Sequence, residues 1–222
     1  EDLIMYDPKV FPDDWVFDLS PYIDYSEDQE ARMNKQLEYE WKKYDDKIIR
    51  DKTKHAGRTE ARDMYNKPTN TGRPMLKTWG RVHVLYRKDV DEKPSVVDEI
   101  LSQLPTLPES DDPTNNGWRW QYFVDNTIPF HKDPQSMCWI GVRTLGQQDI
   151  EFAEDNPEEG TKQADGIYIG KINYKVALIN SKGLHAPVSD GNPRCILRNV
   201  FNHTSYQEVK DVLKEHFKCG SG

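Results

Sequence analysis

Apolar residues along this chain follow two periods. From Glu27 to Arg50, Met33, Leu37, Trp41, Tyr44 and Ile48 recur three and four apart, the spacing of one helix face, and this is the longest helix the pattern predicts. Between Arg81 and Arg87 the order switches to alternation, with Val82, Val84 and Tyr86 set against His83, Leu85 and Arg87, which predicts a strand. Ser95, three residues before Asp98, opens a short helix through Val96, Val97, Ile100 and Leu101 that Pro105 stops. From Trp118 onward the chain breaks into short β-prone runs: Trp118–Val124, Cys138–Val142, Ile150–Ala153, Gly166–Ile172, Lys175–Ile179 and Arg194–Phe201. It closes with Ser205 and Glu208 three residues on, a capping box ahead of Val209, Val212, Leu213 and Phe217 at helical spacing.

The connecting stretches carry less pattern. The first 26 residues are acidic and contain Pro8, Pro12 and Pro21, so they read as an extended arm whose Trp15, Phe17 and Tyr22 pin it to a core. Residues 59–78 are polar and rich in Gly and Pro and read as a long loop. Helices, then many short strands, then one helix predict a mainly β fold with flanking helices, a sandwich or a barrel. With 222 residues and no long Gly/Ser linker, a single domain is expected, made of an N-terminal arm and helical extension (1–78), a β core (79–203) and a C-terminal helix (204–222).

Composition and charge change this picture in four ways. Hydrophobic residues make up only 36% of the chain, so much of it must be loop and solvated helix, although 6 Trp, 11 Tyr and 7 Phe supply core material. No apolar run approaches the roughly 18 residues of a membrane span, and no basic-then-apolar leader is seen, so a soluble protein with no membrane partner is expected. Cys138, Cys195 and Cys219 are an odd, scattered set without CxxC spacing, which argues against a disulfide framework and a structural zinc site and fits a reducing cytoplasm. The net charge of −8 hides a basic segment: residues 32–88 hold 16 Lys/Arg against 7 Asp/Glu. Most of that charge reads as the solvated face of a helix, and the acidic balance elsewhere does not favour a nucleic-acid partner.

The candidate chemistry lies in the strand-rich half. His131 and Asp133 are two apart next to a predicted strand, bracketed by Pro129, Phe130 and Pro134. Residues so spaced on an extended chain project to the same side, so both can reach one ion while Lys132 points away. His185 follows 52 residues after Asp133, beyond several predicted strands, and Arg194 and Arg198 lie further on in the last one. Two imidazoles and one carboxylate are the donor set of non-haem ferrous iron. Taken singly, each residue has an ordinary structural reading: His131 in a loop, Asp133 in a turn before Pro134, His185 on the surface, the arginines in ion pairs. The metal reading rests on their joint occurrence in this order.

On these residues the chain resembles the iron(II)/2-oxoglutarate-dependent dioxygenases, whose pattern is H-x-D, a long gap, H, then Arg or Lys after a short interval. The segment His185-Ala-Pro-Val-Ser-Asp-Gly-Asn-Pro-Arg194 is similar to the family's second-histidine segment, and Ile128-Pro-Phe-His-Lys-Asp133, Cys138-Trp-Ile and Ile150-Glu-Phe are similar in texture to small phage-encoded oxygenases. The resemblance covers the C-terminal half and hardly touches residues 1–78. It implies a double-stranded β-helix core of the jelly-roll, cupin-like type over residues 79–203. It also implies Fe(II) held by His131, Asp133 and His185, and 2-oxoglutarate and O2 as co-substrates. Arg194 would anchor the far carboxylate of 2-oxoglutarate, with Arg198 as the other candidate on the same strand face and Tyr122 as a hydroxyl donor. The implied reaction is hydroxylation with release of succinate and CO2. A peptidyl prolyl, Asp or Asn side chain is the first expectation for the substrate, ahead of a small molecule or a nucleobase.

Two rivals keep the fold. One is a metal-free jelly-roll binding or virion module; the other is a cupin-type metalloenzyme that does not use 2-oxoglutarate and has no need of a cation behind the metal. His83 reads as a half-buried structural residue, and His55, His203 and His216 as surface groups. No Gly-rich phosphate loop, G-x-S-x-G or HExxH occurs, so nucleotide, serine-hydrolase and zinc-protease readings lack their motifs.

Overall fold

A computed structural model describes residues 15–35, 37–38, 42, 81–86, 95–108, 118–124, 130–133, 136–146, 149–154, 167–188 and 194–219. Its strands are β1 (Val16–Asp18), β2 (Arg81–Tyr86), β3 (Trp118–Val124), β4 (Cys138–Leu145), β5 (Asp149–Glu154), β6 (Ile167–Asn173), β7 (Val176–Asn180), β8 (Leu184–Val188) and β9 (Arg194–Phe201). Helices occupy 27–35, Ser95–Leu101 and Tyr206–Cys219.

The strands form two antiparallel sheets, one ordered β1-β7-β4-β9-β3-β2 and the other β6-β5-β8. An antiparallel bridge between His131 and His185 extends the smaller sheet by one more rung beyond β8. The chain therefore runs from β3 in the large sheet to His131 beside the small one, back to β4, over to β5 and β6, back to β7, over to β8 and home to β9. That alternation is the winding of a jelly roll, so the core is a double-stranded β-helix, as expected.

Alternation along the strands separates two apolar layers. Cys138, Ile140 and Val142 on β4, Val176 and Leu178 on β7, and Cys195, Leu197 and Phe201 on β9 face the helices, where Leu19, Met33, Leu37, Val97, Ile100, Val209 and Leu213 cover them. Trp139, Ala177, Ile179 and Ile196 face the other way, toward Ile150, Phe152 and Ile172 of the small sheet. A third cluster, Phe130 with Ala153, Leu184 and Ala186, closes the far face of the small sheet beside the His131 bridge. At the end of β4, Gly146 adopts φ 68°, a left-handed conformation that suits glycine where the chain leaves the large sheet for β5.

Differences from the sequence reading are local. β1 and β8 were not expected as strands. Three residues are too few to show a period, and β8 contains Pro187, which an edge strand tolerates but which breaks a strand signal. Of the expected long helix, residues 27–35, 37–38 and 42 are helical, while Trp41, Tyr44 and Ile48, the 59–78 loop and most of the basic segment lie outside the described residues. Among the described residues no helix is long and apolar enough to cross a membrane.

Candidate metal centre

His131 and His185 face each other across a two-hydrogen-bond bridge, each backbone N–H donating to the other's carbonyl at 3.0 Å. Residues paired in this way share a sheet face, and His185 also pairs with Phe152, an inner-layer residue. Both imidazoles therefore lie on the inner side of the sandwich, with ring centroids 4.5 Å apart. Asp133, two residues along, is fixed by its own N–H donating to the Ser181 carbonyl at 3.0 Å. Its Oδ1 lies 3.5 Å from His131 Nε2. One ligand atom from each of His131, Asp133 and His185 lies within 4.8 Å of the other two.

Local contacts prepare these groups for a cation. His185 Nδ1 lies 2.9 Å from the Gly183 carbonyl. A carbonyl only accepts, so Nδ1 carries the proton and Nε2 keeps the lone pair that would bind metal. Burial, with the nearby charge of His131, pushes the His185 imidazole down to about 4, so the ring is neutral at physiological pH. Burial works against the Asp133 charge, but the His131 hydrogen bond and the positive charge of Arg198 outweigh it and hold the carboxyl well below its ordinary range. A neutral imidazole and an ionised carboxylate on the inner face of the sandwich fit a divalent metal in donor chemistry and protonation.

The rest of the inner face comes from β9, β3 and β4. Arg194, Ile196 and Arg198 share this face of β9, opposite to Cys195 and Leu197. Arg198 Nη2 donates to Asp133 Oδ2 at 3.0 Å, Nη1 to Gln121 Oε1 at 3.3 Å, and the guanidinium carbon lies 4.4 Å from the Trp139 ring centre. Arg194 is 2% exposed, so its charge is held inside the sandwich. Tyr174 stands between β6 and β7, almost wholly buried, with its hydroxyl 2.9 Å from where a Cβ on Gly141 would lie. Burial pushes the Tyr174 phenol up, and Arg198, Arg194 and Arg143 pull it partly back, which places it within electrostatic reach of both β9 arginines.

Of the residues singled out from sequence, His131, Asp133, His185 and Arg198 converge, and Arg194 shares their side of the sheet. Tyr122 pairs in register with Cys195 and His83, and its side chain lies outside the described residues. Arg119 and Gln121 are the β3 positions on the inner face. The sequence reading missed Gln121, Ser136, Ser181, Trp139 and Tyr174. Parity could have found Gln121 and Trp139, the neighbours of the core residues Trp120 and Ile140, but no local signal marks Tyr174.

No protein-family model matches the chain, and no curated protein matches it. Among solved structures it is similar to AviO1 from Streptomyces viridochromogenes Tue57, at 11% identity and a TM-score of 0.43 over 88% of this chain and 94% of that one. It is also similar to the DMSP lyase DddQ from Ruegeria pomeroyi DSS-3, at 16% identity and a TM-score of 0.26 over 39% of this chain and 38% of that one. An oxalate oxidase in complex with glycolate gives 16% identity and a TM-score of 0.31 over 62% and 57%. The match thus spans less than two thirds of both the lyase and the oxidase. At such scores the likeness bears neither on activity nor on substrate.

Proposed function

We propose that the chain is an Fe(II)- and 2-oxoglutarate-dependent dioxygenase that hydroxylates a peptidyl side chain, prolyl or Asp/Asn, and releases succinate and CO2. The observation that carries this reading is the convergence of two imidazoles and one carboxylate within 4.8 Å on the inner face of a jelly roll. Ferrous iron bound there would supply the oxidative chemistry with O2 and 2-oxoglutarate. The protein's part is to bind, orient and keep dry. His185 offers Nε2 because Gly183 holds Nδ1. Asp133 brings the negative charge that offsets part of the cation's. Arg194, buried on the same face of β9, offers a planar fork suited to the far carboxylate of the keto acid. Phe152, Trp139 and Ile196 line the same layer and exclude water. The side chains of His131 and Asp133 remain 28% and 22% exposed while His185 is buried, so substrate would approach from the His131 side.

A second reading is supported by Arg198: one of two candidate anchors is already engaged with Asp133, which suits a cupin-type metalloenzyme that does not use 2-oxoglutarate. Anaerobic titration of the Fe(II)-loaded protein with 2-oxoglutarate separates the two. The first reading expects a visible charge-transfer band as the keto acid chelates iron, absent in His185→Ala and needing several-fold more 2-oxoglutarate in Arg194→Ala. Iron bound without a band would favour the second reading. No iron binding at all would return the chain to the metal-free binding modules.

A further inference from the structure

The arrangement around Asp133 is more elaborate than a metal ligand alone requires. Its Oδ2 accepts from Arg198 Nη2 at 3.0 Å and from Ser136 Oγ at 2.9 Å. Ser136 is itself held, with its Oγ 2.9 Å from Ser181 Oγ and its carbonyl accepting from that same Ser181 hydroxyl at 2.9 Å. Arg198 is held in turn by Gln121 on one nitrogen and by the Trp139 ring below its plane. Gly141, the register partner of Arg198 on β4, makes room for this stack, because a Cβ there would lie 2.6 Å from Trp139 Cζ3. Every contact orients one guanidinium toward one carboxylate oxygen, and the other oxygen, Oδ1, faces His131.

Resting on the metal reading above, we infer that Arg198 is a positioning residue for the carboxylate ligand. It and Ser136 occupy Oδ2, so that Asp133 meets the metal through Oδ1 alone, and the far carboxylate of the co-substrate falls to Arg194. Arginine suits the role because its rigid fork can serve a carboxylate and an amide at once while its plane stacks on an indole. Lysine, a point charge on a flexible stem, can do only one of these.

The test uses Co(II) as the probe metal, so that binding is read from the d–d spectrum without turnover. The full chain, Arg198→Met, Arg198→Lys and Arg194→Met are titrated with Co(II), and each, at metal saturation, with 2-oxoglutarate. Loss of an outer-shell partner typically costs roughly 10–100-fold in metal affinity. Arg198→Met is expected to show a loss of that size and an altered d–d envelope, with Arg198→Lys between it and the parent. Both should keep the parent's 2-oxoglutarate affinity once the metal is saturated. Arg194→Met is expected to do the reverse, keeping Co(II) affinity and losing 2-oxoglutarate affinity. Circular dichroism of the metal-free variants identifies any that do not fold. Should Arg198→Met be among them, the Lys variant and Ser136→Ala, which removes the other Oδ2 donor, carry the comparison. Unchanged Co(II) affinity and spectrum in folded Arg198 or Ser136 variants, with 2-oxoglutarate binding weakened in the former, would make Arg198 the anchor and overturn the inference while leaving the metal site standing. A parent chain that binds no Co(II) through His131 and His185 would overturn both.

Discussion

Gly141 shows how little freedom the inner face leaves a single residue. A Cβ built on it would fall 2.6 Å from Trp139 Cζ3 and 2.9 Å from the Tyr174 hydroxyl, and the indole that would have to move is the one beneath Arg198. Gly141→Ala is therefore expected to destabilise by about 1–3 kcal/mol, the usual cost of overpacking, and to weaken metal binding along with it. Urea denaturation read beside a Co(II) titration checks this; a variant as stable as the parent with unchanged affinity would mean the stack is slack. At this scale the sequence was informative about residue types and much less about use. His131, Asp133 and His185 stood out because few side chains bind ferrous iron and their order is distinctive. Arg198 stood out as a cation, but its pairing with Asp133 is framed by Gln121, Ser136 and Trp139, which come together from two separate segments. Tyr122 is an expectation drawn from the strand that precedes the motif, and its side chain lies outside the described residues.

Among the elements, the C-terminal helix is the one most fully written in local sequence. Ser205 Oγ and Glu208 close a reciprocal cap: the Ser205 N–H donates to Glu208 Oε2 at 2.7 Å, the hydroxyl donates to the same oxygen at 2.6 Å, and the Glu208 N–H lies 3.3 Å from Ser205 Oγ. Replacing Ser205 with Ala is expected to cost about 1 kcal/mol, read as a lowered melting temperature. The cap also has a pH signature. Hydrogen bonds from the Ser205 side chain and backbone hold the Glu208 carboxyl below its ordinary range. A group depressed in the folded state contributes fully above its unfolded pKa and loses that contribution as pH falls through its folded value. Melting curves of the parent and Glu208→Gln should differ at neutral pH and converge in acid; a constant offset across that range would contradict the cap. Strands were harder to read. Alternation is hidden in β4 and β7 because both faces are buried, one under helices and one under the small sheet, so Cys138–Val142 and Val176–Ile179 run without a polar side chain; β9 breaks its apolar run with Arg194, Arg198 and Asn199.

For the molecule as a whole, strand spacing made the class of fold legible, and the jelly-roll winding was legible only through the family resemblance that the motif residues carry. Short strands with turns between them imply a sandwich or a barrel, and the crossings that decide the winding depend on which strand pairs with which; β1 and β8 lay outside the expectation. The site inherits that topology, since its histidines belong to the small sheet and its arginines to the large one. A metal held by His131, Asp133 and His185 would bind the folded chain and not the unfolded one. At free metal about 100 times Kd, binding contributes ~2.7 kcal/mol, or roughly 5–10 °C in a domain of this size. Calorimetry with and without Co(II) should show that rise, and His185→Ala should abolish it. A rise surviving in His185→Ala would place the metal elsewhere.

One feature of the seam sets the order in which such a metal would be let go. The two imidazoles are clasped to each other through their own backbones, inside one sheet, whereas the Asp133 carboxylate is tethered across the gap to Arg198 on β9. Breathing of the sandwich would therefore stretch the tether before it touched the clasp. The carboxylate would swing away first and leave the cation on two neutral nitrogens, a weak hold with no charge to offset its own. Release of a metal held there would thus be coupled to separation of the two sheets, and whatever drew the sheets together, a bound substrate included, would lengthen the time the metal stayed.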